Sequence, residues 1–377
     1  MKNENKKKTN WLALKEKAAP WILLLPFLFV LIVFFGYASV RVIYFSFMDY
    51  DLFNPPQFVG FQNYIDLIGE FLFTKALKNS LTFAVIVTFT QTIFAMLLAL
   101  AMNQKLKGIR YFRTLYYMPS ITSSVVITLI FMWMFQRQGL INFLITQFNA
   151  HLFNIGIFIL FVAGCLFLLN LLDLAQKRKM TIVDPAYLLI SIFVTSLVFI
   201  LFSRLGLISP RDIEQANIIW FNTRESVPSW LGPFAWPRPL GAIMMLNIWT
   251  TIPTFMLLYL AGLQDIPKQL YEAAEVEGAN GFQKFFYITV PQLSNITFLV
   301  VTMGLIGTLQ MFDQVAILGN QAPLESVVTL AYYVYNNAFP SSAIPNIGLA
   351  SAAAIVLAII TLTVVVIQRL ILKEGRD

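Results

Sequence analysis

Long apolar runs separated by short polar segments make up most of this chain. An α-helix rises about 1.5 Å per residue, so a run of roughly 20 apolar residues crosses a hydrocarbon core about 30 Å thick. The pattern therefore predicts an all-α integral membrane protein with eight transmembrane spans, at residues 20–46, 79–103, 114–136, 153–174, 183–206, 238–262, 293–318 and 347–371.

Composition supports this interpretation. The chain is 58% hydrophobic and 12% charged, whereas soluble domains carry about 25% charged residues. The net charge of +7 is typical of basic cytoplasmic loops and does not by itself indicate nucleic-acid binding. Cys165 and His151 are the only residues of their types. An internal disulfide is therefore excluded, and no His/Cys cluster exists to hold a metal.

Basic residues predict the orientation of the spans. Most of the 26 Lys and Arg fall in alternate segments, and the positive-inside rule assigns these segments to the cytoplasm. The first span is too long for a cleavable signal peptide. An even number of spans then places both termini in the cytoplasm. The predicted cytoplasmic segments are residues 1–19, 104–113, 175–182 and 263–292, and the C-terminus after Arg369.

The cytoplasmic segment 263–292 is polar and acidic, unlike the rest of the chain. Asp265 followed by Pro267 predicts the start of a short helix, with the acid as its cap. Gly278 stands where a helix needs a left-handed C-terminal residue. A second short helix is predicted up to Pro291, with Phe282, Phe285, Phe286 and Ile288 on one apolar face. Such a surface needs lipid or a protein groove.

The same segment carries a recognisable motif. Glu272-Ala273-Ala274, Gly278, Ile288 and Pro291 stand at the spacing of the EAA loop, so the segment resembles that loop in the membrane subunits of binding-protein-dependent ABC importers. It departs from the usual pattern only at Val290, where the family usually has Leu. Further segments resemble the carbohydrate branch of the family, in particular its maltose-type first permease: Val59–Tyr64, Arg110–Pro119 and Leu260–Pro267.

The resemblance implies a six-helix permease core. The core is interrupted by an extra transmembrane hairpin, to which the resemblance does not extend. The expected organisation is a basic cytoplasmic N-terminus (1–19), core helices 1–3 (20–147), the inserted hairpin with an outer loop (148–229), core helices 4–6 with a coupling loop at 263–292 (230–371), and a cytoplasmic tail (372–377).

The resemblance also implies how such a protein is driven. The loop would form a pair of coupling helices in a cleft of an ATP-binding subunit, where Glu272 meets a basic residue in a strong charge-assisted hydrogen bond. The implied coupling residues are Glu272, Ala273, Ala274, Gly278, Phe285, Ile288 and Pro291. The alternative for Glu272 is a solvated surface charge. For Glu275 and Glu277 the solvated state is the expectation.

Partners and cofactors follow from the same resemblance. The chain has no Gly-x4-Gly-Lys-Ser/Thr loop, so we expect ATP and Mg²⁺ to bind to partner subunits, with no cofactor and no enzyme activity in this chain. The implied assembly contains a second homologous permease, two ATP-binding subunits and an extracellular sugar-binding protein. It lies in a bacterial-type cytoplasmic membrane, with lipid around it and no nucleic acid.

Polar residues at membrane depth predict a substrate path, because they are costly in lipid. Residues four apart share one face of a helix. By resemblance, the sugar-lining positions are Ser120, Ser124, Asn247, Thr250, Thr251, Thr254, Gly304, Gly307, Thr308 and Met311. Hydroxyl and amide groups suit a sugar, and the absence of a cationic cluster argues against an anionic substrate. Ordinary packing of small and hydroxyl residues between helices is the alternative; it is favoured for the two glycines, whereas Asn247 favours function.

The predicted function is that of a permease subunit of an ATP-driven importer for a sugar or oligosaccharide. An ion-coupled secondary transporter or channel without ATPase subunits is the alternative. It would need mid-membrane carboxylates or an inverted repeat; no inverted repeat is visible, and Asp313 stands alone at the end of a span. A membrane enzyme would need a catalytic constellation, which the sequence does not contain.

Overall fold

The computed structural model describes residues 19–104, 109–175, 185–205 and 214–371. The chain forms two compact units, one made of residues up to 129 and from 221 onward, the other of residues 130–220. The predictions for the basic N-terminal segment, for the charged tip of the inserted hairpin and for the C-terminal tail lie outside the described residues.

Helices account for most of the described chain. Their bounds are α1 Ala19–Ser46, α2 Gln62–Gly69, α3 Phe71–Met102, α4 Ile109–Ile121, α5 Ser124–Met134, α6 Leu140–Ala175, α7 Pro185–Arg204, α8 Arg238–Asp265, α9 Lys268–Val276, α10 Gly281–Lys284, α11 Ser294–Leu309, α12 Asp313–Leu318, α13 Leu324–Val327, α14 Leu330–Ala338 and α15 Ile347–Ile371. Helix α1 contains a π-helical stretch at Leu31–Gly36.

Two short antiparallel pairs of strands complete the secondary structure of the described residues. Strand β1 (Met48–Asp49) pairs with β2 (Gln57–Phe58), and β3 (Ser226–Val227) pairs with β4 (Trp236–Pro237). Both pairs lie in segments that the span pattern places between transmembrane helices, so the all-α prediction holds for the membrane part.

Six helical segments in the described residues are long and apolar enough to cross a membrane, or seven if a bent pair counts as one span. This confirms a multi-pass helical protein. Three predicted spans agree closely with α1, α8 and α15, whereas α3 begins at Phe71, before the predicted start at residue 79. Helix α6 begins at Leu140, so the predicted start of the insertion at residue 148 falls inside it. The apolar part of α7 is the shorter helix Ile190–Arg204, and the eight-span count stays a prediction.

The predicted span 114–136 was wrong as a single helix, because α4 and α5 meet at a bend of 98°. Pro119 lies inside α4 and has no N–H for the helical ladder. Beyond it, the Ser120 hydroxyl donates to Tyr117 O at 2.8 Å and the Thr122 hydroxyl donates to Met118 O at 2.8 Å. The chain therefore breaks there, and Ser120 and Ser124 do not share one helix face.

The predicted span 293–318 agrees with the membrane-crossing segment Ser294–Gln321, but its helix is interrupted. Helix α11 ends at Leu309 with Gln310 as its C-cap, and α12 starts at Asp313. Gly307 and Met311 therefore do not lie on one continuous helix face, as their spacing of four had predicted. Gly307 is exposed and Met311 is buried.

Helix α3 packs against α8 and α11 at the centre of the larger unit. Ala95 and Ala99 on α3 are fully buried, together with Met256 and Tyr259 on α8 and Val300 on α11. Small residues let transmembrane helices approach closely, which strengthens dispersion contacts and interhelical hydrogen bonds where no hydrophobic effect operates. Gln91 of α3 and Thr251 of α8 also meet at this junction.

Within the smaller unit, α6 packs against α7. Phe158 of α6 packs against Phe199 of α7, and Phe161 packs against Phe202, in T-shaped contacts with ring centroids 5.6 Å and 6.4 Å apart. Edge-on packing of this kind is favourable for aromatic rings. The two helices therefore pack through aromatic side chains, and further apolar side chains are exposed on both.

Candidate functional site

A cavity of about 270 Å³ opens between α4, α5, α8 and α12. Its polar lining consists of Ser120, Thr122, Ser124, Thr250, Thr251, Thr254 and Gln314. Its apolar lining consists of Pro119, Ile127, Leu246 and Phe255. Five of the ten residues predicted for the substrate path thus come together here, and the break between α4 and α5 is what brings Ser120 and Ser124 to the same space.

Asn247 and Met311 lie next to this region without lining the cavity. The carbonyl of Asn247 accepts the hydroxyl hydrogens of Thr250 and Thr251, at 3.0 Å and 2.7 Å. Met311 is buried, and its carbonyl accepts from the Thr329 hydroxyl at 2.7 Å. Neither residue lines the cavity, and each is bonded through its backbone carbonyl to the hydroxyl of a threonine.

The remaining predicted residues lie on α11. A Cβ atom on Gly304 would stand 2.6 Å from Gln91 Nε2 and 3.0 Å from Thr88 Cγ2, so Gly304 permits close packing against α3. The Thr308 hydroxyl donates to Gly304 O at 2.7 Å and lies 3.3 Å from the Thr88 hydroxyl. A Cβ atom on Gly307 would meet nothing within 4 Å. In this structure Gly304 and Thr308 serve helix packing.

Gln91 is a polar residue beside the cavity that the sequence analysis missed. Its side chain is 1% exposed, and its Oε1 lies 2.6 Å from the Thr251 hydroxyl. It therefore joins α3 to the cavity wall, in contact range of Gly304 on α11. The available signal was an amide side chain in the middle of the apolar run of α3. Thr122 and Gln314 also line the cavity and were not predicted.

The segment 263–292, predicted to be a coupling loop, contains α9. This helix ends just before Gly278, as predicted. Gly278 has a φ of +80°, a left-handed backbone conformation that glycine adopts without steric cost. The Ala279 N–H donates to Ala274 O at 2.8 Å and the Gly278 N–H donates to Glu275 O at 3.0 Å. These two bonds form a Schellman motif, which satisfies the last carbonyls of α9.

The start of α9 differs from the prediction. Asp265 is the last residue of α8, and Pro267 is the N-cap of α9 without a side-chain hydrogen bond. The prediction that Asp265 caps this helix was wrong, because α8 continues to that residue. The cap is found instead at α10, where Asn280 and Gln283 exchange side-chain and backbone hydrogen bonds of 2.8 Å and 2.9 Å.

The helical path after α10 changes register and does not stop. Phe285–Thr289 is π-helical, and the Val290 N–H donates to Phe285 O five residues back. Pro291 has no N–H to donate to the carbonyl four residues before it, which favours this wider turn. The turn Val290–Gln292 then leads to Leu293 and α11. Pro291 therefore lies within the helical path and does not break it, contrary to the prediction.

Two side-chain contacts fix the shape of this loop. Lys284 Nζ lies 2.6 Å from Glu275 Oε1, and the hydroxyls of Tyr271 and Thr289 are 2.9 Å apart. The hydrogen bond and charge of Lys284 hold the pKa of the Glu275 carboxyl below its ordinary value. Glu275 was expected to be a solvated charge; its side chain is exposed, and it also joins α9 to α10 through Lys284.

Glu272 differs from Glu275 in this respect. Its side chain is exposed, and no salt bridge or hydrogen bond involves it among the described residues. The motif residue Ala273 is exposed and Ala274 is half-buried. Beside them lies a groove of about 390 Å³, whose lining includes Gly278 and Ile288.

Exposed apolar side chains surround this groove. Val276 is 91%, Tyr287 is 79% and Phe282 is 72% exposed, whereas Phe285 and Ile288 are half-buried. Several exposed apolar side chains on one polar loop indicate an interaction site. The loop thus has a rigid backbone, an unpaired carboxylate and apolar side chains available for contact.

Comparison with known proteins places the whole chain in one group. Residues 91–374 match the family described as "Binding-protein-dependent transport system inner membrane component". The chain is 26% identical over 367 residues to the "Probable ABC transporter permease protein YurN" of Bacillus subtilis (strain 168), covering 96% of this chain and 99% of that protein. It is 28% identical over 366 residues to the "Arabinooligosaccharides transport system permease protein AraP" of the same organism, covering 96% and 91%.

A solved structure has the same fold. The chain superposes with a TM-score of 0.64 and 19% identity on a chain of the "bacterial alginate ABC transporter in complex with alginate pentasaccharide-bound periplasmic protein", covering 97% of this chain and 99% of that one. The family match spans the cavity-lining segments of α4, α5, α8 and α12 and the complete coupling loop. The protein is therefore a multi-pass membrane protein that belongs to the family of binding-protein-dependent transport system inner membrane components.

Proposed function

We propose that this permease carries a neutral sugar or oligosaccharide into the cell and is driven by ATP-binding subunits through the loop Glu272–Pro291. The observation that carries the proposal is a hydroxyl-lined cavity on one set of helices, together with a rigid loop that leaves Glu272 unpaired. The proposed topology has eight spans with both termini in the cytoplasm, which places the loop where an ATPase can reach it.

The cargo is proposed from the lining of the cavity. Six hydroxyl side chains and one amide line it, and no charged residue does among the described ones. Hydroxyl and amide groups match the hydroxyls of a sugar, and a buried anion would lack a compensating charge. The name of the relative AraP refers to arabinooligosaccharides, which supports a saccharide here without identifying it.

The drive is proposed from the coupling loop. Because α9 and α10 are joined by Glu275–Lys284 and anchored by Tyr271–Thr289, a push on the loop is transmitted to α11 as a rigid unit. Glu272 is free to accept a charge-assisted hydrogen bond from a basic residue of an ATP-binding subunit. The proposed assembly contains this chain, a second homologous permease, two ATP-binding subunits that hold ATP and Mg²⁺, and an external binding protein.

The family match disfavours an ion-coupled transporter that works alone. The structure offers little support for that alternative, since Asp313 is exposed at the start of α12. A coupling site for an ion would need acidic residues facing the protein interior at membrane depth.

Isolation of the tagged chain from its native membrane tests the proposed assembly. We expect an ATP-binding subunit and a second permease to co-purify in mild detergent, and sugar uptake in proteoliposomes to require ATP. A chain that is isolated alone and takes up solute in response to an ion gradient would contradict the proposal.

A further inference from the structure

Four of the six cavity hydroxyls, those of Ser120, Thr122, Thr250 and Thr251, already donate hydrogen bonds within the protein. A hydroxyl has one hydrogen and two acceptor lone pairs. Ser120 donates to Tyr117 O at 2.8 Å, and Thr250 lies within 3.1 Å of two carbonyls of its own helix. Thr122 likewise donates to the carbonyl four residues before it, at 2.8 Å. These side chains therefore present their oxygen atoms to a ligand as hydrogen-bond acceptors.

The Thr251 hydroxyl is likewise used as a donor, through Gln91 or Asn247. The Thr251 hydroxyl lies 2.6 Å from Gln91 Oε1 and 2.7 Å from Asn247 O. If Thr251 donates to the amide oxygen, its hydrogen is used there. If the amide is turned so that it donates to Thr251, the hydroxyl hydrogen goes to Asn247 O. In both arrangements Thr251 faces the cavity as an acceptor.

The packing around Gln91 holds the amide in this position. Gln91 is 1% exposed, and the missing side chain of Gly304 leaves the space that its Nε2 occupies, since a Cβ there would be 2.6 Å away. Gln91 therefore reaches the cavity wall only through Thr251. It is a positioning residue and makes no contact with the cargo itself.

The charge of the lining agrees with an acceptor-rich site. No Lys or Arg lines the cavity within the described residues, and Asp313 directly precedes the lining residue Gln314. A carboxylate brought into this space would meet mainly oxygen lone pairs and would lose its hydration without a cation or enough donors to replace it. A hydroxyl or amino group would instead find acceptors for its hydrogens.

We infer that this cavity selects hydrogen-bond-donating saccharides, neutral or amino-bearing, over carboxylate-bearing ones, and that Gln91 supports this preference by holding the Thr251 hydroxyl at the cavity wall. The inference rests on the proposed sugar transport and narrows its substrate class. A structurally similar bacterial ABC transporter is involved in the import of the acidic polysaccharide alginate, so the inference gives this chain a selectivity opposite to that cargo.

A single-cysteine reporter tests the inference. Cys165 is the only cysteine, so Cys165→Ala followed by Thr254→Cys places one thiol in the cavity lining. The assembled complex is labelled with a small thiol reagent in the presence of maltotriose or galactotriose, of the same trisaccharides oxidised to carboxylates at C6, or of their C6 amines. We expect neutral and amino probes to protect at concentrations at least about tenfold lower than the carboxylates.

The outcomes are distinct. Equal or better protection by the carboxylates would overturn the inference, as would no protection by any neutral trisaccharide. ATPase stimulation by the loaded binding protein, measured with the unmodified chain, tests the proposed function separately. If that stimulation is present while the carboxylates protect equally well, only the inference about the cavity fails.

Two substitutions isolate the role of Gln91. Gln91→Leu should reduce the preference for neutral over carboxylate probes several-fold, and Gln91→Asn should retain part of it. The matched control is Gln368→Leu, which removes another buried amide that accepts from a Thr hydroxyl, Thr302, across a helix interface at 3.0 Å. A merely structural role predicts equal effects of Gln91→Leu and Gln368→Leu on the preference, which would overturn the assignment of Gln91.

Discussion

The close contact between α3 and α11 makes a quantitative prediction about two glycines on the same helix. In Gly304→Ala the new methyl carbon would stand 2.6 Å from Gln91 Nε2 and 3.0 Å from Thr88 Cγ2. Gln91 must then move and lose its bond to Thr251. In Gly307→Ala the methyl group meets nothing within 4 Å.

The expected magnitudes follow from these distances. Overpacking costs about 1–3 kcal/mol, and Ala in place of a helical Gly returns about 0.5–1 kcal/mol. We therefore expect Gly304→Ala to lose roughly 1–2 kcal/mol of stability, and Gly307→Ala to be neutral or slightly stabilised. The measurement is the midpoint of thermal denaturation of the purified assembly in one detergent.

A third variant checks the cause. The double variant Gly304→Ala with Gln91→Asn shortens the amide, so it should recover part of the lost stability. Equal midpoints for Gly304→Ala and Gly307→Ala would refute the reasoning about the junction of α3 and α11. So would a double variant that is less stable than the sum of its two single substitutions predicts.

Three further predictions concern the coupling loop. Gly278→Ala, at φ +80°, should cost about 1–2 kcal/mol locally and speed amide exchange at the end of α9; unchanged exchange would contradict the Schellman motif. Tyr271→Phe removes the bond to Thr289 and should lower substrate-stimulated ATPase several-fold without loss of assembly. Because the hydrogen bond and charge of Lys284 lower the pKa of Glu275, their contact should persist at neutral pH and be lost only as the pH falls through that lowered pKa. Glu275→Gln, in contrast, should show increased proteolysis of the loop at neutral pH.

Local patterns predicted the parts of the loop that depend on local chemistry. Gly278 was predicted to end α9 because only a glycine takes a left-handed conformation without strain, and the structure confirms it. Asp265 was misassigned as a cap because the end of α8 depends on how far its packing continues. Sequence spacing contains no information on that packing.

Contacts between residues far apart in the chain could not be predicted from local sequence patterns. Glu275 and Lys284 are nine residues apart and meet only because the turn at Gly278 reverses the chain. Gln91 and Thr251 lie 160 residues apart and meet only where α3 crosses α8. Polar residues in an apolar run can be identified from sequence, but which of them face one another depends on helix crossings.

The break between α4 and α5 could be predicted in position but not in size. Pro119 and the hydroxyl residues after it were visible in the sequence, and together they weaken a helix. The sequence does not specify a bend of 98° in place of a mild kink. That bend is what turns Ser120 and Ser124 toward the side chains of α8.

The most direct test of the proposed coupling is substrate-stimulated ATPase activity in proteoliposomes that contain the complete assembly. Glu272→Lys should abolish stimulation by the loaded binding protein and abolish uptake, because the exposed carboxylate is the only charge of the Glu272-Ala-Ala motif. Asp265→Lys, the same charge reversal at another exposed acid of the segment 263–292, should retain both activities. Stimulation and uptake that survive in Glu272→Lys at the level of Asp265→Lys would contradict the account.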